Sequence, residues 1–457
     1  MFGLLLLVFL LSGASGLIYQ VLWQRLLGLV FGVSAYATAT VLAAFMAGLA
    51  LGGLLAGRVA DRVRSPLLWY GVVEILVGVA GLLTPPAFGA LQDVYPSFYR
   101  AVGGSALAPV VRFGVAFAVL LVPTALMGAS FPLIVKAALG SRDDGGRAIG
   151  LLYAINTLGA VVGTLAAGFY LIGEVGIRGS IGVAAGLNLA AGLAAVLLGM
   201  RLAPETGAAD DHAPVSTSRL ACPPALTRLL PALLGVSGFC SLAYEVVWTR
   251  LLVLFLETTT YAFTVMLAAF LLGITLGSAV ISPFLRRAAN GPLALGILQA
   301  LVGVTSLLAL QGIAHMEPFL VWLGFASAEG PSIAAVGVLA FAAMFPPALF
   351  LGMSFPLAVT LFAAGDEGVG RRLGSLYAAN VFGAIFGALA AGFLLVPVLG
   401  TSVTLVLLAG LNVLAAVVTV AADAWTAART RLVAAGAAVG VVAVLAVLTP
   451  RAYADLL

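Results

Sequence analysis

The sequence has very little charge. Only 8% of its 457 residues are Asp, Glu, Lys or Arg, whereas 63% are apolar, and an average soluble domain is about 25% charged. Seventeen acids and 21 bases are too few to solvate the surface of a globular protein of this length. The composition therefore excludes a soluble fold and predicts an integral membrane protein, with the lipid bilayer as its first partner.

Cysteine and histidine are equally scarce. The two cysteines, Cys222 and Cys240, exclude a disulfide framework. The two histidines, His212 and His315, lack the spacing of metal ligands. No Ser-His-Asp set or P-loop occurs either. We therefore expect no metal, no cofactor and no ATP-driven transport by this chain alone. The net charge of +4 reflects membrane orientation rather than a nucleic-acid partner.

Long apolar runs, by contrast, recur along the whole chain. A spanning helix needs about 20 apolar residues. The runs predict thirteen membrane helices, near residues 3–31, 33–57, 66–88, 107–138, 147–173, 178–200, 229–257, 259–283, 291–314, 331–363, 371–397, 400–421 and 432–449. The first run has no basic segment ahead of it, so we expect it to be an ordinary helix rather than a cleaved signal peptide.

One long hydrophilic segment divides these helices into two sets. It covers 201–228 and predicts a cytoplasmic linker between an N-terminal six-helix repeat, 1–200, and a C-terminal six-helix repeat, 229–421. An extra transmembrane helix, 432–449, follows. With the N-terminus in the cytoplasm, fifteen of the 21 Lys and Arg residues lie on the inner side, so the positive-inside rule predicts this orientation.

The two sets of helices are copies of one another. The motif SGASGLIYQVLWQRLL from Ser12 returns as SGFCSLAYEVVWTRLL from Ser237, at an offset of 225. Similarly, GASFPLIV from Gly128 returns as GMSFPLAV from Gly352, at an offset of 224. Six helices per copy give both copies the same orientation, which is the parallel-repeat arrangement of major facilitator transporters. We predict an all-α, major facilitator-like fold of 6+6 helices plus one C-terminal helix.

The loop after the second helix favours the same fold. Its sequence, GRVADRVR from Gly57, resembles the major facilitator signature between helices 2 and 3. In that family the aspartate, here Asp61, caps a neighbouring helix and its charge stabilises one conformation. Asp61 and Arg62 are therefore candidate conformational residues. A plain positive-inside loop remains an equal alternative, because the signature is partial and Arg286 stands where Asp61 would repeat.

A closer resemblance lies in the repeated motifs themselves. The segments LIYQVLWQRLLGLVFG, GASFPL and LLYAINTLGAVVGTLAAGF resemble the membrane half of bacterial membrane-fused spermidine synthase-like proteins, up to about residue 421. The resemblance implies a polyamine link, the bacterial cytoplasmic (inner) membrane, and a soluble aminopropyltransferase domain as partner. No segment of that domain occurs before Leu457, so we expect no enzyme activity. The chain is then either truncated or a natural member without the enzyme half.

Two acids lie well inside predicted helices at reciprocal repeat positions. Glu245 has Gln20 as its counterpart, and Glu74 has Gln299. Ionisable groups inside membrane helices are costly and are functional candidates by default. Two carboxylates suit a small cation with separated amines, and a buried carboxylate can also carry a proton. The alternative is internal pairing with an arginine or a tyrosine hydroxyl.

Other side chains at repeat positions complete the candidate binding set. They are Tyr19, Tyr244, Arg25, Arg250, Tyr153, Tyr377, Asn156 and Asn380. The first two tyrosines could form a cation–π wall together with Trp23 and Trp248. The alternatives are an aromatic belt for the tryptophans, snorkelling for the arginines, and helix-to-helix hydrogen bonds for the Tyr-x-x-Asn pairs.

Prolines repeat as well. Pro132 and Pro356 lie inside the fourth and tenth predicted helices, where a proline removes a backbone hydrogen bond and bends the helix. Paired bends at repeat positions are candidate hinges for rocking motions, and purely structural kinks are equally compatible with them.

These features lead to two hypotheses of different class. The first is a transporter that binds a small, cationic, polyamine-type solute between its halves and alternates access. The second is a non-transporting membrane anchor, scaffold or channelling domain for a spermidine synthase-like enzyme.

Overall fold

The computed structural model describes most of the chain. The described residues are 2–31, 35–60, 63–101, 107–139, 145–201, 222–256, 259–284, 290–322, 324, 326–327, 330–331, 333–362, 369–423 and 427–448. Asp61, Arg62 and residues 202–221 of the predicted linker lie outside them.

Helices dominate the described residues, which divide into two compact units at positions 211 and 212. The first unit contains α1 (Phe2–Phe31), α2 (Ala35–Ala60), α3 (Pro66–Ala101), α4 (Leu107–Leu139), α5 (Gly145–Ala166) and α6 (Ile172–Arg201). The second contains α7 (Pro224–Leu252), α8 (Thr259–Ile281), α9 (Gly291–Ala314), α10 (Met316–Trp322), α11 (Ile333–Phe362), α12 (Val369–Ala390), α13 (Val396–Leu399), α14 (Thr401–Ala421) and α15 (Ala428–Leu448).

Some element boundaries differ from the prediction. Helix α3 continues to Ala101, thirteen residues past its predicted end, because residues after 88 are helical but less apolar. Helix α7 begins inside the predicted linker, where Pro224 occupies the first turn, a position that tolerates proline. The short helix α10 and a two-residue antiparallel pair, Ala326–Ser327 with Gly330–Pro331, were not predicted because they are too short for a periodic pattern.

The apolar lengths confirm a polytopic membrane protein. Within the described residues, twelve helical runs are long and apolar enough to span a bilayer. One of them, Leu151–Arg201, has 51 residues, which at 1.5 Å per residue is far longer than the roughly 30 Å of hydrocarbon. The backbone leaves the helical conformation at Gly176 (φ 68°, ψ 178°). This break separates the two helices predicted at 147–173 and 178–200.

The irregular backbone features repeat at the sequence offset. A five-residue π-helical segment, Ala167–Leu171, returns as Ala391–Leu395. The positive φ of Gly176 returns at Gly400 (φ 78°, ψ 169°), and glycine adopts this region without steric cost. Both pairs are 224 residues apart, so the duplication includes its departures from ideal helix geometry.

Glycines bring neighbouring helices into backbone contact within each unit. A Cβ atom added to Gly163 of α5 would overlap the carbonyl oxygen of Ala14 in α1, and one added to Gly159 would overlap that of Leu10. In the second unit, a Cβ atom added to Gly387 of α12 would overlap the carbonyl oxygen of Phe239 in α7. Small residues permit this close approach where no hydrophobic force between helices operates. The glycines at these positions therefore have a packing role.

We expect Gly163→Ala to lower the free energy of unfolding by about 1–3 kcal/mol, because the new methyl group must displace the α1 backbone. The matched control is Gly182→Ala in α6, where nothing lies within 4 Å of the new Cβ atom. It should be neutral or slightly stabilising, since alanine favours helix more than glycine does. Thermal unfolding of detergent-purified protein measures both, and equal effects would contradict the packing role.

Candidate functional site

Glu74 lies at the centre of a polar network in the first unit. It projects from α3 and is only 1% exposed. Ser12 of α1 donates its Oγ–H to Oε1 at 2.7 Å, and Asn188 of α6 donates Nδ2–H to Oε2 at 2.6 Å. The nearby Tyr70 hydroxyl donates to the carbonyl oxygen of Val8 at 3.3 Å instead. Both carboxylate oxygens therefore have donors from within the unit.

This network joins helices that are distant in the sequence. The carboxylate of α3 accepts hydrogen bonds from residues 62 positions before it and 114 positions after it. Both hydrogen bonds are short, and they satisfy carboxylate oxygens that have no water available inside a bilayer. Glu74 thus holds α1, α3 and α6 together, as the pairing alternative anticipates, although its partners are a serine and an asparagine rather than an arginine.

Glu245 has a different environment. It lies on α7, is 3% exposed, and forms no hydrogen bond or ion pair through its carboxylate with any described residue. Arg250, one and a half turns later on the same helix, is exposed, and Arg25 is half-buried. Neither arginine is paired with Glu245 within the described part of the chain. Burial of an unpaired carboxylate is costly, so Glu245 would be stabilised by a bound cation or proton.

The amide counterparts of the two acids are also buried. Gln20 in α1 and Gln299 in α9 are both nearly inaccessible. The Oε1 atom of Gln299 has no hydrogen-bond partner among the described residues, whereas the equivalent carboxylate of Glu74 has two donors. The hydrogen-bond network around Glu74 is therefore not reproduced around Gln299, where an amide replaces the carboxylate.

The Tyr and Trp of the repeated motif form a stacked pair in each unit. Tyr19 stacks on Trp23 with ring centroids 5.4 Å apart, and Tyr244 stacks on Trp248 at 5.1 Å. Both tryptophans are 0% exposed. The aromatic-belt alternative is therefore wrong, because a belt requires rings at the membrane surface. The stacking and burial also leave no ring face open to solvent, and the cation–π wall stays a prediction.

Hydrogen bonding around these pairs differs between the units. Trp23 donates its Nε1–H to Thr84 at 3.1 Å. Trp248 has no acceptor among the described residues, because the position equivalent to Thr84 is Ala309. Asn412, which occupies the repeat position of Asn188, donates to the Tyr244 hydroxyl at 3.0 Å instead of to a carboxylate. Equivalent asparagines therefore donate to a glutamate carboxylate in the first unit and to a tyrosine hydroxyl in the second.

Sequence reasoning missed the partners Ser12, Asn188 and Asn412. A signal was available, since Asn188 and Asn412 are polar residues within otherwise apolar helices at an offset of 224. Such residues in membrane helices usually form interhelical hydrogen bonds. Their partners could not be predicted, because a linear sequence does not state which helix faces each asparagine.

The other candidate residues lie on the periphery of this arrangement. Asn380 donates from Nδ2 to the carbonyl oxygen of Leu234 at 3.1 Å, which links α12 to α7. Asn156 is half-buried and packs against Gly13, which links α5 to α1. Tyr153 and Tyr377 are each about half exposed. Both asparagines therefore have helix-to-helix contacts, and a direct binding role for these four residues stays a prediction.

The two motif prolines lie inside continuous helices. Pro132 belongs to α4, which also contains Pro123, and Pro356 belongs to α11, which also contains Pro346 and Pro347. Their placement within helices is confirmed, and their role as hinges stays a prediction.

We expect Asn188→Ala to lower the free energy of unfolding by about 1–3 kcal/mol or more, because it leaves a buried carboxylate short of one donor. The matched control is Asn412→Ala, which removes a neutral hydrogen bond at the equivalent position and should cost only about 0.5–1.5 kcal/mol. Thermal unfolding in detergent measures both variants.

The double variant Glu74→Gln/Asn188→Ala tests the cause of this effect. The loss should be smaller than the sum of the two single losses, because the charge that needed the donor is gone. Strict additivity of the two single effects would count against the coupling.

Comparison with solved structures identifies the fold. A POT family transporter in complex with 5-aminolevulinic acid is 14% identical to this chain, with 92% of this chain and 94% of that one covered and a TM-score of 0.59. A bacterial homologue of the iron transporter ferroportin is 15% identical, with 93% of this chain and 99% of that one covered and a TM-score of 0.51. A Major Facilitator Superfamily transporter, FucP, is 14% identical, with 92% of this chain and 98% of that one covered and a TM-score of 0.50.

These likenesses establish an all-α, major facilitator-like membrane fold, as the repeats predicted. At such low identity they show the fold and leave the solute open. No family model matches the chain.

Comparison with curated proteins gives a partial match. Polyamine aminopropyltransferases from Mycobacterium tuberculosis and Mycobacterium bovis are 29% identical over 172 residues. The matched segment covers 36% of this chain and 30% of those proteins. The chain therefore aligns with about a third of the length of the curated relatives it matches.

Proposed function

We propose that this protein is a membrane transporter that binds a small, cationic, polyamine-type solute and alternates access across the bilayer. The observation that carries this proposal is Glu245, a buried carboxylate on a spanning helix with no partner among the described residues. An amine of the solute, or a proton, supplies the positive charge that the protein does not. The major facilitator-like fold supports the proposal, since that architecture holds solute sites near the bilayer midplane.

The two acids have different roles in this proposal. Glu245 is the solute or proton site, because its carboxylate is free to accept a new partner. Glu74 is a positioning residue, because Ser12 and Asn188 already occupy both of its oxygens. A cation at Glu74 would compete with these two donors for the carboxylate, whereas a cation at Glu245 would meet no hydrogen bond to the carboxylate from the described residues.

The polyamine character of the solute has two supports. The first is the resemblance of the repeated motifs to membrane-fused spermidine synthase-like proteins, and the second is the partial match to polyamine aminopropyltransferases. A diamine or triamine carries separated positive charges, of which Glu245 would neutralise one. Asn380 and Tyr377, which belong to the same unit as Glu245, are the neutral groups that we assign to orienting the remainder.

Uptake of labelled putrescine and spermidine into proteoliposomes tests this function. The wild-type protein should accumulate amine under an imposed proton or sodium gradient or membrane potential. Glu245→Gln should reduce the initial rate by at least tenfold with little change in thermal stability, because the amide removes the charge but no existing contact. Glu74→Gln should chiefly lower stability and leave a measurable uptake rate in the folded fraction.

Two results would contradict the proposal at different levels. Absence of amine uptake by the wild type under every gradient would reject polyamine transport. Normal uptake by Glu245→Gln, in the presence of wild-type uptake, would reject only the assignment of the carboxylate.

A second candidate function is a membrane anchor or channelling domain for a spermidine synthase-like enzyme. The observation that favours it is the match to polyamine aminopropyltransferases, whose own length exceeds the matched segment. Flotation of proteoliposomes with a soluble aminopropyltransferase from the same genome tests it. Co-flotation that requires this protein would support the anchor, and an enzyme that remains in the soluble fraction with wild-type proteoliposomes would exclude it for that enzyme.

A further inference from the structure

An apolar groove runs along the outside of the first unit. It lies between α2, α3 and α4 and has a volume of about 520 Å³. Its lining side chains are all aliphatic or aromatic, among them Leu55, Trp69, Val122 and Leu133. Several of them are exposed, including Val122 at 61%. Apolar space of this kind does not hold ordered water, so a hydrocarbon occupant fits it best.

The groove has the length of one membrane leaflet. One end lies where α2 finishes and α3 begins, near Val63 and Trp69, and therefore at one surface of the bilayer. Along α4 the lining extends from Leu121 to Leu133. Twelve residues of helix rise about 18 Å, and half of the hydrocarbon core is about 15 Å. The other end of the groove thus lies close to the bilayer midplane.

The surface end of the groove is basic. Arg58, in the last turn of α2, and Arg64, next to the lining residue Val63, are both exposed. Neither forms an ion pair with another described residue. The half-exposed Trp69 lies in the first turn of α3, at the level where tryptophan favours the membrane interface. The apolar groove, about as long as one membrane leaflet is thick, thus ends at two arginines and an interfacial tryptophan.

We propose that this groove is a binding site for one anionic phospholipid. One acyl chain lies along α4 between Leu121 and Leu133, and the headgroup phosphate contacts Arg58 and Arg64. The apolar lining selects a hydrocarbon chain, the length matches a single leaflet, and the arginines discriminate an anionic headgroup from a zwitterionic one. This inference is independent of the transported solute and of the role of Glu245.

Competition between two lipids tests the site. Detergent-purified protein is mixed with equal amounts of phosphatidylglycerol and phosphatidylcholine that carry identical acyl chains, and bound lipid is counted by native mass spectrometry. The wild type should retain one phosphatidylglycerol in preference to phosphatidylcholine. Arg58→Gln/Arg64→Gln should reduce that preference by about fivefold per arginine. The matched control, Arg201→Gln, changes an exposed arginine at the end of α6 and should leave the preference unchanged.

A groove-filling variant separates chain binding from headgroup binding. Val122→Phe places a larger side chain at an exposed lining position, so it should reduce retention of both lipids without unfolding the protein. Quenching of Trp69 fluorescence by brominated phosphatidylglycerol gives a second measurement on the intact chain. The component of quenching that is lost in Trp69→Phe reports lipid in the groove.

Three outcomes would overturn the proposal. Equal retention of the two lipids by the wild type would reject a headgroup preference, and an equal effect of Arg201→Gln would indicate unspecific surface electrostatics. A lipid-free dimer that Val122→Phe dissociates would identify a second copy of the chain as the occupant instead.

Discussion

The absence of water in the bilayer is the constraint on which the rest of this structure depends. A polar group on a spanning helix must find its partner within the protein or remain unsatisfied at considerable cost. In the first unit, Glu74 meets this requirement through Ser12 and Asn188, and three helices are thereby fixed relative to one another. Glu245 does not meet it with any described residue, and this difference separates a structural acid from a candidate functional one.

The two units share their backbone geometry but differ in the hydrogen bonds of their buried polar groups. Helix-to-helix glycine contacts, π-helical segments and the positive φ of Gly176 and Gly400 repeat at nearly the same offset in both units. The hydrogen bonds do not repeat, since Asn188 donates to Glu74 in one unit whereas its counterpart Asn412 donates to Tyr244 in the other. Backbone geometry is shared because close packing tolerates few changes, whereas buried polar groups can be exchanged one at a time. Divergence of these groups therefore gives two equivalent halves different hydrogen-bond networks.

Much of the architecture could be predicted because its signals are linear. Apolar length predicted the helices, and the repeat register predicted six of them per half. The close packing of Gly159 and Gly163 against α1 likewise depends on a property visible in the sequence, the absence of a side chain. The tryptophans are the clearest failure, since Trp23 and Trp248 resemble interfacial residues in sequence but are wholly buried against tyrosines. An aromatic residue near a helix end does not reveal whether another helix covers it.

The sequence by itself determined that this is a duplicated, polytopic helical membrane protein with a buried acid in each half, because hydrophobicity, helix length and repeat offset are properties of the linear chain. Only the tertiary structure decided which acid has partners, which aromatic rings are covered and where a leaflet-long groove ends at two arginines. Those outcomes depend on contacts between helices separated by as many as 168 residues. Their physical basis is the packing of helix faces in three dimensions, which hydrophobic patterning restricts but does not specify.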